Sequence, residues 1–129
     1  RLAKDQLFPL GLIAEKSGHS RGSTVDVTLV PLGSGASPTW QVGDPITDCA
    51  APVGVRFPDT SIDMGTGFDC FDPLAATADT QITPEQQANR GILVAAMEAA
   101  GFVNLPEEWW HYTLKVEPFP DTYVDSAIR

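Results

Sequence analysis

Alternating apolar and polar residues predict a first strand near the start of the chain. Residues 24–30 read TVDVTLV, in which Val25, Val27 and Leu29 recur at every second position. A period of two is that of a half-buried strand. Asp26 is therefore expected on the face opposite these apolar side chains.

A second alternating segment lies near the end of the chain. Residues 110–116 read WHYTLKV, with His111, Thr113 and Lys115 on one side and aromatic or aliphatic side chains on the other. The prolines at 118 and 120 then close regular structure. The pattern predicts a second strand that presents His111 on its polar face.

A helix is predicted between the two strands. Thr83 is a suitable N-cap, Pro84 fits the first helical position, and Gln86 completes a capping box. Gly101 can adopt the left-handed conformation that ends a helix, so we expect the helix over about residues 84–100. A face of small side chains recurs at helical spacing and is expected to lie against the sheet: Ala88, Ile92, Ala95, Ala96 and Ala99.

The long segment between the first strand and the helix shows little periodicity. Residues 31–73 are rich in Gly, Pro, Ser, Thr and Asp, as in loops that carry function or a disulfide. The order strand, long loop, helix, strand predicts an α+β fold with a small, mostly antiparallel sheet. A chain of 129 residues is expected to form one domain.

The acidic charge narrows the classes of partner. The chain has 17 acidic and 8 basic residues and a formal charge of −9, which would repel nucleic acid. No apolar run approaches the roughly 18 residues that a membrane span needs, so we expect neither partner. The chain starts at Arg1 without a signal segment, and we expect any targeting sequence and the beginning of the natural protein to lie outside it.

The two cysteines suggest the compartment. Cys49 and Cys70 lie in or beside one loop-rich stretch, and neither belongs to a CxxC motif. A disulfide between them is the first interpretation, and it would point to a periplasmic or secreted protein. Two free thiols in a cytoplasmic protein are the alternative.

Three residues have the chemistry of a zinc site. A hydrolytic zinc takes three nitrogen or oxygen ligands and keeps a fourth position open for water. The chain has only two histidines, His19 and His111, and Asp26 follows His19 by seven residues. A turn containing the flexible Gly22 could deliver His19 to the start of the Asp26 strand. If the two strands are neighbours, the three side chains meet on one face.

Glu108 is the candidate catalytic base. It stands three residues before His111, and an odd spacing on a straight strand would send the two side chains to opposite faces. A bulge or bend at Trp109 and Trp110 is therefore required. A carboxylate beside an activated water can take its proton and return it to the leaving amine. The alternative for Glu108 is a solvated acid beside Glu107. Trp109 and Trp110 are expected to form core and pocket wall rather than binding platforms, because tryptophans bury a large apolar area.

Two segments of the chain resemble the metal motifs of a peptidase family. SGHSRGSTVD resembles the SxHxxGxxxD signature of the D-alanyl-D-alanine dipeptidase and carboxypeptidase group of zinc peptidases, and EWWHY resembles its ExxH signature. The HSRGS wording, the double tryptophan and the stretch DMGTGFDCFD are most similar to the dipeptidase branch, which cleaves free D-Ala-D-Ala. The resemblance runs from about Lys16 to Asp121.

The resemblance implies a fold and a set of site residues. The implied fold is the small α+β zinc fold that these peptidases share with hedgehog-type domains, with residues 1–129 as a single zinc peptidase domain that lacks the family's N-terminal segment. The implied roles are zinc on His19, Asp26 and His111, Glu108 as general base, and substrate binding by Ser17 and Asp69. Asp69 would pair with the ammonium group of the dipeptide.

Some of these roles have competitors among neighbouring residues. From the residues alone, Asp63 and Asp72 are equal candidates for the ammonium partner. Ser17 is as suited to capping a turn as to touching substrate, and Asp26 alone could be a strand-edge carboxylate bonded to a backbone amide. The family also uses an upstream arginine in a YRP-like setting to stabilise the oxyanion, and this chain has no such segment. Loss of one such donor typically costs a hundredfold or more in rate.

The resemblance implies hydrolysis of D-Ala-D-Ala in cell-wall metabolism, with glycopeptide resistance as one biological setting. A D,D-carboxypeptidase or endopeptidase acting on peptidoglycan stems is one alternative. A small pocket walled by residues 31–73 would favour the dipeptidase, whereas an open groove would favour this alternative. A non-catalytic zinc-bearing module is the other, which a blocked metal position beside Glu108 would favour.

Overall fold

The computed structural model describes residues 4–6, 8, 9, 14 and 16–124. Within them, the elements are one α-helix and three strands of one sheet, with 3-10 helices at Lys4–Gln6, Gly18–Arg21 and Pro73–Ala75. The α-helix is α1 (Pro84–Ala99), and the strands are β1 (Thr24–Asp26), β2 (Phe102–Asn104) and β3 (His111–Leu114). The predicted α+β class with a small antiparallel sheet is confirmed. No helix of the described residues has the length and apolar character that a membrane crossing requires.

Strand β3 is the centre of the sheet. It pairs antiparallel with β1 on one side and with β2 on the other, in the order β1-β3-β2. The register places Asp26 opposite His111 and Thr24 opposite Thr113, and the two threonine hydroxyls lie 2.9 Å apart. Because strand side chains alternate, Asp26 and His111 share one face of the sheet, whereas the buried Tyr112 lies on the other. The predicted strand polarity around His111 is confirmed.

The first strand is shorter than predicted. The N–H of Val27 donates to the carbonyl of Trp110, the residue before β3, at 2.9 Å. Two residues later, the carbonyl of Leu29 accepts instead from the N–H of Ile62 in the long loop, at 2.9 Å. The chain therefore leaves β3 after Asp26 and runs along the long loop instead. Val25 is 36% exposed, while Val27 and Leu29 are partly buried against the core, so the three apolar residues do not form one face.

Helix α1 begins as predicted. Thr83 and Gln86 form a reciprocal capping box, with the Thr83 N–H donating to Gln86 Oε1 at 2.8 Å. Gly101 follows the helix with φ +88°, the left-handed conformation expected of it. The strand β2 that comes next was not predicted, because three residues carry too little periodicity to be read.

The face on which α1 packs differs from the prediction. The small residues of the expected face are exposed. The helix instead packs through Arg90 and Leu93, with Val94 and Met97 partly buried against the core. Larger side chains remove more apolar surface from water at each position, which favours this stripe over alanine.

The core is built around the double tryptophan. Trp109 and Trp110 are 1% and 0% exposed, and their rings meet edge to face with centroids 5.1 Å apart. The indole N–H of Trp109 donates to the Thr66 hydroxyl at 2.9 Å, which ties the long loop to the core. Cys49 and Cys70 form the expected disulfide between positions 21 residues apart, within the same region. The disulfide interpretation is confirmed.

Arg90 joins α1 to the loop that precedes it. The guanidinium is 1% exposed and donates to the carbonyl oxygens of Met64, Leu74 and Ala76, at 2.7 Å and 3.0 Å for the first two. These three residues are not in a strand, so no sheet partner donates to their carbonyls. The Arg90 side chain therefore satisfies backbone groups of two loop segments, one at residue 64 and one at residues 74–76.

Replacing Arg90 with Met should destabilise the protein strongly. The substitution preserves an unbranched apolar stem but removes the donor to the Met64 and Leu74 carbonyls, at about 1 to 3 kcal/mol for each buried group left unpaired. The Ala76 carbonyl keeps its bond from the Asp79 N–H. We expect the free energy of unfolding in urea to fall by about 3 kcal/mol or more, while Ala95→Met, on the exposed face of the same helix, changes it by about 0.5 kcal/mol or less. Equal denaturation midpoints for the two variants would refute the role of Arg90.

Candidate metal centre

A short turn presents the first candidate ligand. Residues Gly18–Arg21 form a 3-10 helix, which we call the histidine turn. Ser17 caps it by accepting a hydrogen bond from the His19 N–H at 3.2 Å, and Gly22 ends it with φ 73°. A Cβ atom on Gly18 would lie 2.9 Å from Thr24 Oγ1, so the turn packs directly against β1. The predicted reversal at Gly22 therefore brings His19 back over the strand.

The three candidate ligands meet above the sheet. His19 Nε2 lies 3.4 Å from Asp26 Oδ2, and His111 Nδ1 lies 3.1 Å from Asp26 Oδ1. The two imidazole rings are edge to face with centroids 4.9 Å apart. One donor atom from each of the three residues lies within 4.8 Å of the others. The structure thus brings together the residues that the sequence proposed as a metal set.

The geometry of this set fits a zinc ion. Two ligand atoms of a tetrahedral zinc site lie about 3.3 Å from one another. Each histidine has a nitrogen at about that distance from an Asp26 oxygen, 3.4 Å to Oδ2 and 3.1 Å to Oδ1, and the three ligand atoms as a set lie within 4.8 Å. Asp26 Oδ1 is buried and makes no hydrogen bond of good geometry within the described part of the chain, and a buried carboxylate oxygen left in this way is costly. A cation between the three residues would satisfy it, and two imidazoles with one carboxylate suit zinc.

A bend brings Glu108 to the same place. The Glu108 N–H donates to the Leu105 carbonyl at 3.1 Å, and the His111 N–H donates to the Glu108 carbonyl at 3.2 Å. Between them, Trp109 and Trp110 turn inward to the core, so Glu108 and His111 both turn outward. Glu108 Oε2 lies 3.3 Å from His111 Nδ1, and the bend that the sequence required is present.

Asn104 holds this bend and was missed by the sequence reasoning. Its amide nitrogen donates to the carbonyl of Glu108 at 3.0 Å and to the carbonyl of His111 at 3.1 Å. Its amide oxygen accepts from the Thr77 hydroxyl at 2.6 Å. The amide nitrogen thus fixes the two ends of the bend, while the amide oxygen ties Asn104 to the loop at Thr77. An Asn just before the Leu-Pro turn was the only signal in the sequence.

The candidate ligands and Glu108 line a cleft of about 570 Å³. Such a volume is within the usual range of small-molecule sites. Of the long loop at 31–73, only Asp69 and Phe71 line it. Neither tryptophan lines the cleft, so their predicted place in the core is confirmed and their predicted place in the pocket wall is wrong. Ser17 lines the cleft as well as capping the histidine turn.

The structure separates Asp69 from its two competitors. Asp63 forms an ion pair of 2.9 Å with the buried Arg56, and Asp72 caps the 3-10 helix at Pro73–Ala75. Both carboxylates are therefore engaged in holding the loop. Asp69 faces the cleft, and its backbone has φ 55°, a left-handed conformation that few residues other than glycine adopt. Of the three acids, Asp69 alone is available to a ligand in the cleft.

The cleft concentrates negative charge. Burial raises the pKa of Asp26, and the Glu108 carboxylate raises it further. Burial likewise raises the pKa of Asp69, with Asp26 and Glu108 adding to the effect. The Glu108 carboxylate raises the pKa of His111, and Asp26 acts in the same direction. The same carboxylates that favour a proton on His111 would attract a divalent cation in its place.

Zinc binding should consequently strengthen as the pH rises. A raised pKa keeps His111 protonated to a higher pH than an ordinary histidine, whose pKa is about 6.5, and a protonated imidazole cannot bind a metal. The apparent zinc affinity should therefore fall as the pH decreases through that raised pKa, with proton release on binding. Calorimetry in buffers of different ionisation enthalpy measures the protons released, and His111→Ala should reduce both their number and the affinity. Zinc affinity unchanged between about pH 6 and 8 would contradict this assignment.

The chain is similar in sequence to known proteins of one kind. Residues 56–129 match a family model described as D-ala-D-ala dipeptidase. The chain is 38% identical over 127 residues to a D-alanyl-D-alanine dipeptidase of Streptomyces coelicolor, covering 98% of this chain and 51% of that protein. It is 32% identical over 127 residues to one of Enterococcus faecalis, with the same coverage, and 31% identical over 98 residues to one of Escherichia coli, covering 76% and 38%. The chain spans about half the length of the first two of these relatives.

Proposed function

The chain belongs to the D-ala-D-ala dipeptidase family, peptidase family M15, which is a family of metallopeptidases. From that premise we propose that the chain carries the zinc centre of a dipeptidase acting on free D-Ala-D-Ala. The observation that supports this most is the convergence of His19, Asp26 and His111, with Glu108 beside them. We propose residues 1–129 as a single peptidase domain.

In this proposal the three ligands hold zinc and Glu108 moves the proton. Zinc, when bound, would lower the pKa of a water in its open position and polarise the scissile carbonyl. Glu108 lies beside His111 with its side chain 12% exposed, which restricts it to the cleft. It accepts a proton from the attacking water as the new carbon–oxygen bond forms. It then donates that proton to the amine nitrogen as the peptide carbon–nitrogen bond breaks.

Asp69 would bind the ammonium group of the substrate. Its carboxylate is directed to the cleft by the left-handed backbone next to the Cys70 disulfide, and a charge-assisted hydrogen bond to an ammonium suits that position. Ser17, which also lines the cleft, would contribute a hydroxyl while it continues to cap the histidine turn. The ammonium partner distinguishes a free dipeptide from the C-terminus of a longer peptide.

Each arginine among the described residues is engaged in contacts away from the candidate ligands, so none is placed to stabilise the oxyanion. Arg21 pairs with Glu117, Arg56 with Asp63, and Arg90 with backbone carbonyls. We therefore assign the oxyanion donor to none of them and propose that it comes from elsewhere in the protein.

A carboxypeptidase or endopeptidase acting on peptidoglycan stems is the second candidate. The limited contribution of the long loop to the cleft wall favours it, since a longer substrate needs an open groove. A non-catalytic module of the hedgehog type, with a similar zinc fold, is less favoured because Glu108 stands directly beside the ligand set. The disulfide supports a periplasmic or secreted location, in which the enzyme would act in cell-wall metabolism.

Replacing Glu108 with Gln should abolish most activity without removing the metal. The substitution keeps the size of the side chain but cannot accept the proton, and general-base catalysis contributes about 100- to 10,000-fold. Release of D-alanine from D-Ala-D-Ala by the full-length protein should fall by that factor, with zinc content unchanged. The matched control is Glu107→Gln, an exposed acid next to it that should leave the rate as in the parent. A Glu108→Gln enzyme as fast as the parent refutes the mechanism.

Replacing Asp69 with Asn tests the substrate class. A hydrogen bond to a charged group contributes about 1.5–3 kcal/mol, so the KM for D-Ala-D-Ala should rise about 10- to 100-fold with a smaller change in kcat. N-acetyl-D-Ala-D-Ala should be a poor substrate for the parent and gain nothing from Asp69. Asp121→Asn, an exposed acid outside the cleft, is the control. Rapid cleavage of a longer stem peptide, equal in parent and Asp69→Asn, would instead favour the carboxypeptidase.

A further inference from the structure

The histidine turn is fastened to the rest of the molecule by an ion pair on its outer side. Arg21, the last residue of the turn, binds the Glu117 carboxylate through two parallel bonds, Nε to Oε2 at 2.6 Å and Nη2 to Oε1 at 2.9 Å. The two side chains are only 17% and 18% exposed. Glu117 follows the end of β3 by three residues. The pair thus connects the turn that carries His19 to the strand that begins with His111.

Further contacts extend this connection. Arg21 Nη1 donates to the Tyr123 hydroxyl at 3.3 Å, and the guanidinium carbon lies 5.6 Å from the centre of the Tyr123 ring. The N–H of Val124 donates to the carbonyl of Ser20 at 2.7 Å. The chain from 117 to 124 therefore lies across the outer side of the histidine turn, with Arg21 as its main side-chain anchor.

His19 needs such an anchor more than the other two ligands do. Asp26 and His111 face each other across the hydrogen-bonded ladder of β1 and β3. His19 lies on a four-residue 3-10 helix, whose hydrogen bonds are local and of poorer geometry than those of a sheet. A bidentate arginine–carboxylate pair fixes orientation as well as distance. The pair can therefore supply the long-range constraint that the turn lacks.

We propose that Arg21 is a positioning residue, which through its two bonds to Glu117 holds the histidine turn so that His19 reaches the metal. The inference rests on the zinc centre of the proposed function. It concerns the affinity of that centre for zinc, because Arg21 itself touches neither the cleft nor the other ligands.

The charge of Arg21 and its positioning role predict opposite changes in zinc affinity, so an experiment can separate the two. Removing the positive charge of Arg21 should, by Coulomb's law, make the site more attractive to a cation. Lys16, whose ammonium lies 5.4 Å from the centre of the Tyr123 ring, carries a positive charge in the same neighbourhood without pairing to Glu117. Lys16→Gln therefore reports the effect of charge, whereas Arg21→Gln reports charge and position together.

The experiment is a competition titration of zinc against a chromophoric chelator, with the full-length protein. Loss of a residue that orients a ligand typically costs 10- to 100-fold in metal affinity, and we expect that loss for Arg21→Gln. Lys16→Gln should bind zinc as tightly as the parent or slightly more tightly. Arg21→Lys keeps the charge but cannot make two parallel bonds, and it should lose most of the same affinity.

A double-variant cycle tests whether Arg21 acts through His19. In a His19→Ala background, Arg21→Gln should cause no further loss of zinc affinity, since the ligand it positions is gone. A further loss of the same size there would indicate a general loosening and overturn the proposal. An Arg21→Gln variant that binds zinc as tightly as the parent would also overturn the proposal. If that variant fails to fold, an Arg21→Lys variant with the parental zinc affinity would overturn it. A parent protein that binds no zinc would instead overturn the proposed function.

Discussion

The site depends above all on the antiparallel register between β1 and β3. That ladder places Asp26 opposite His111, and only in this register do their side chains fall on the same face with donor atoms 3.1 Å apart. A shift by one residue would turn one of the two toward the core. The ladder is only three residues long, so it must be supported by its surroundings. The Thr24–Thr113 hydroxyl contact and the bond from Val27 at its end provide that support.

The remaining site residues lie on irregular backbone, and each is fixed by contacts outside the sheet. The bend before β3 exists because Trp109 and Trp110 both enter the core, which leaves Glu108 and His111 on the cleft side. Asn104 then holds the carbonyls at the two ends of that bend. A well-packed aromatic pair thus determines where a carboxylate stands, and this connects the stability of the fold to its chemistry.

The sequence predicted the convergence of the three candidate ligands better than it predicted the packing of the elements, for a physical reason. Local signals sufficed for the capping box at Thr83, the turn at Gly22 and the polar face of β3, because each depends on neighbours within a few residues. The buried face of α1 and the early end of β1 depend on partners far along the chain. Arg90 of the helix donates hydrogen bonds to carbonyls of the loop at 64–76, and the Leu29 carbonyl accepts one from the Ile62 N–H. No periodicity within the helix or the strand could have revealed those partners.

The same charges that suit the site to a cation oppose its assembly without one. Asp26 and Glu108 come together with Asp69 nearby, and burial already raises the pKa of Asp26 and of Asp69. Carboxylates in a partly desolvated cleft repel one another, and the elements that carry them are three or four residues long or irregular. A dication would replace this repulsion by attraction and would link the histidine turn, β1 and β3 directly. Because any species that binds only the folded state stabilises it, the metal would be part of the structure as well as of the chemistry.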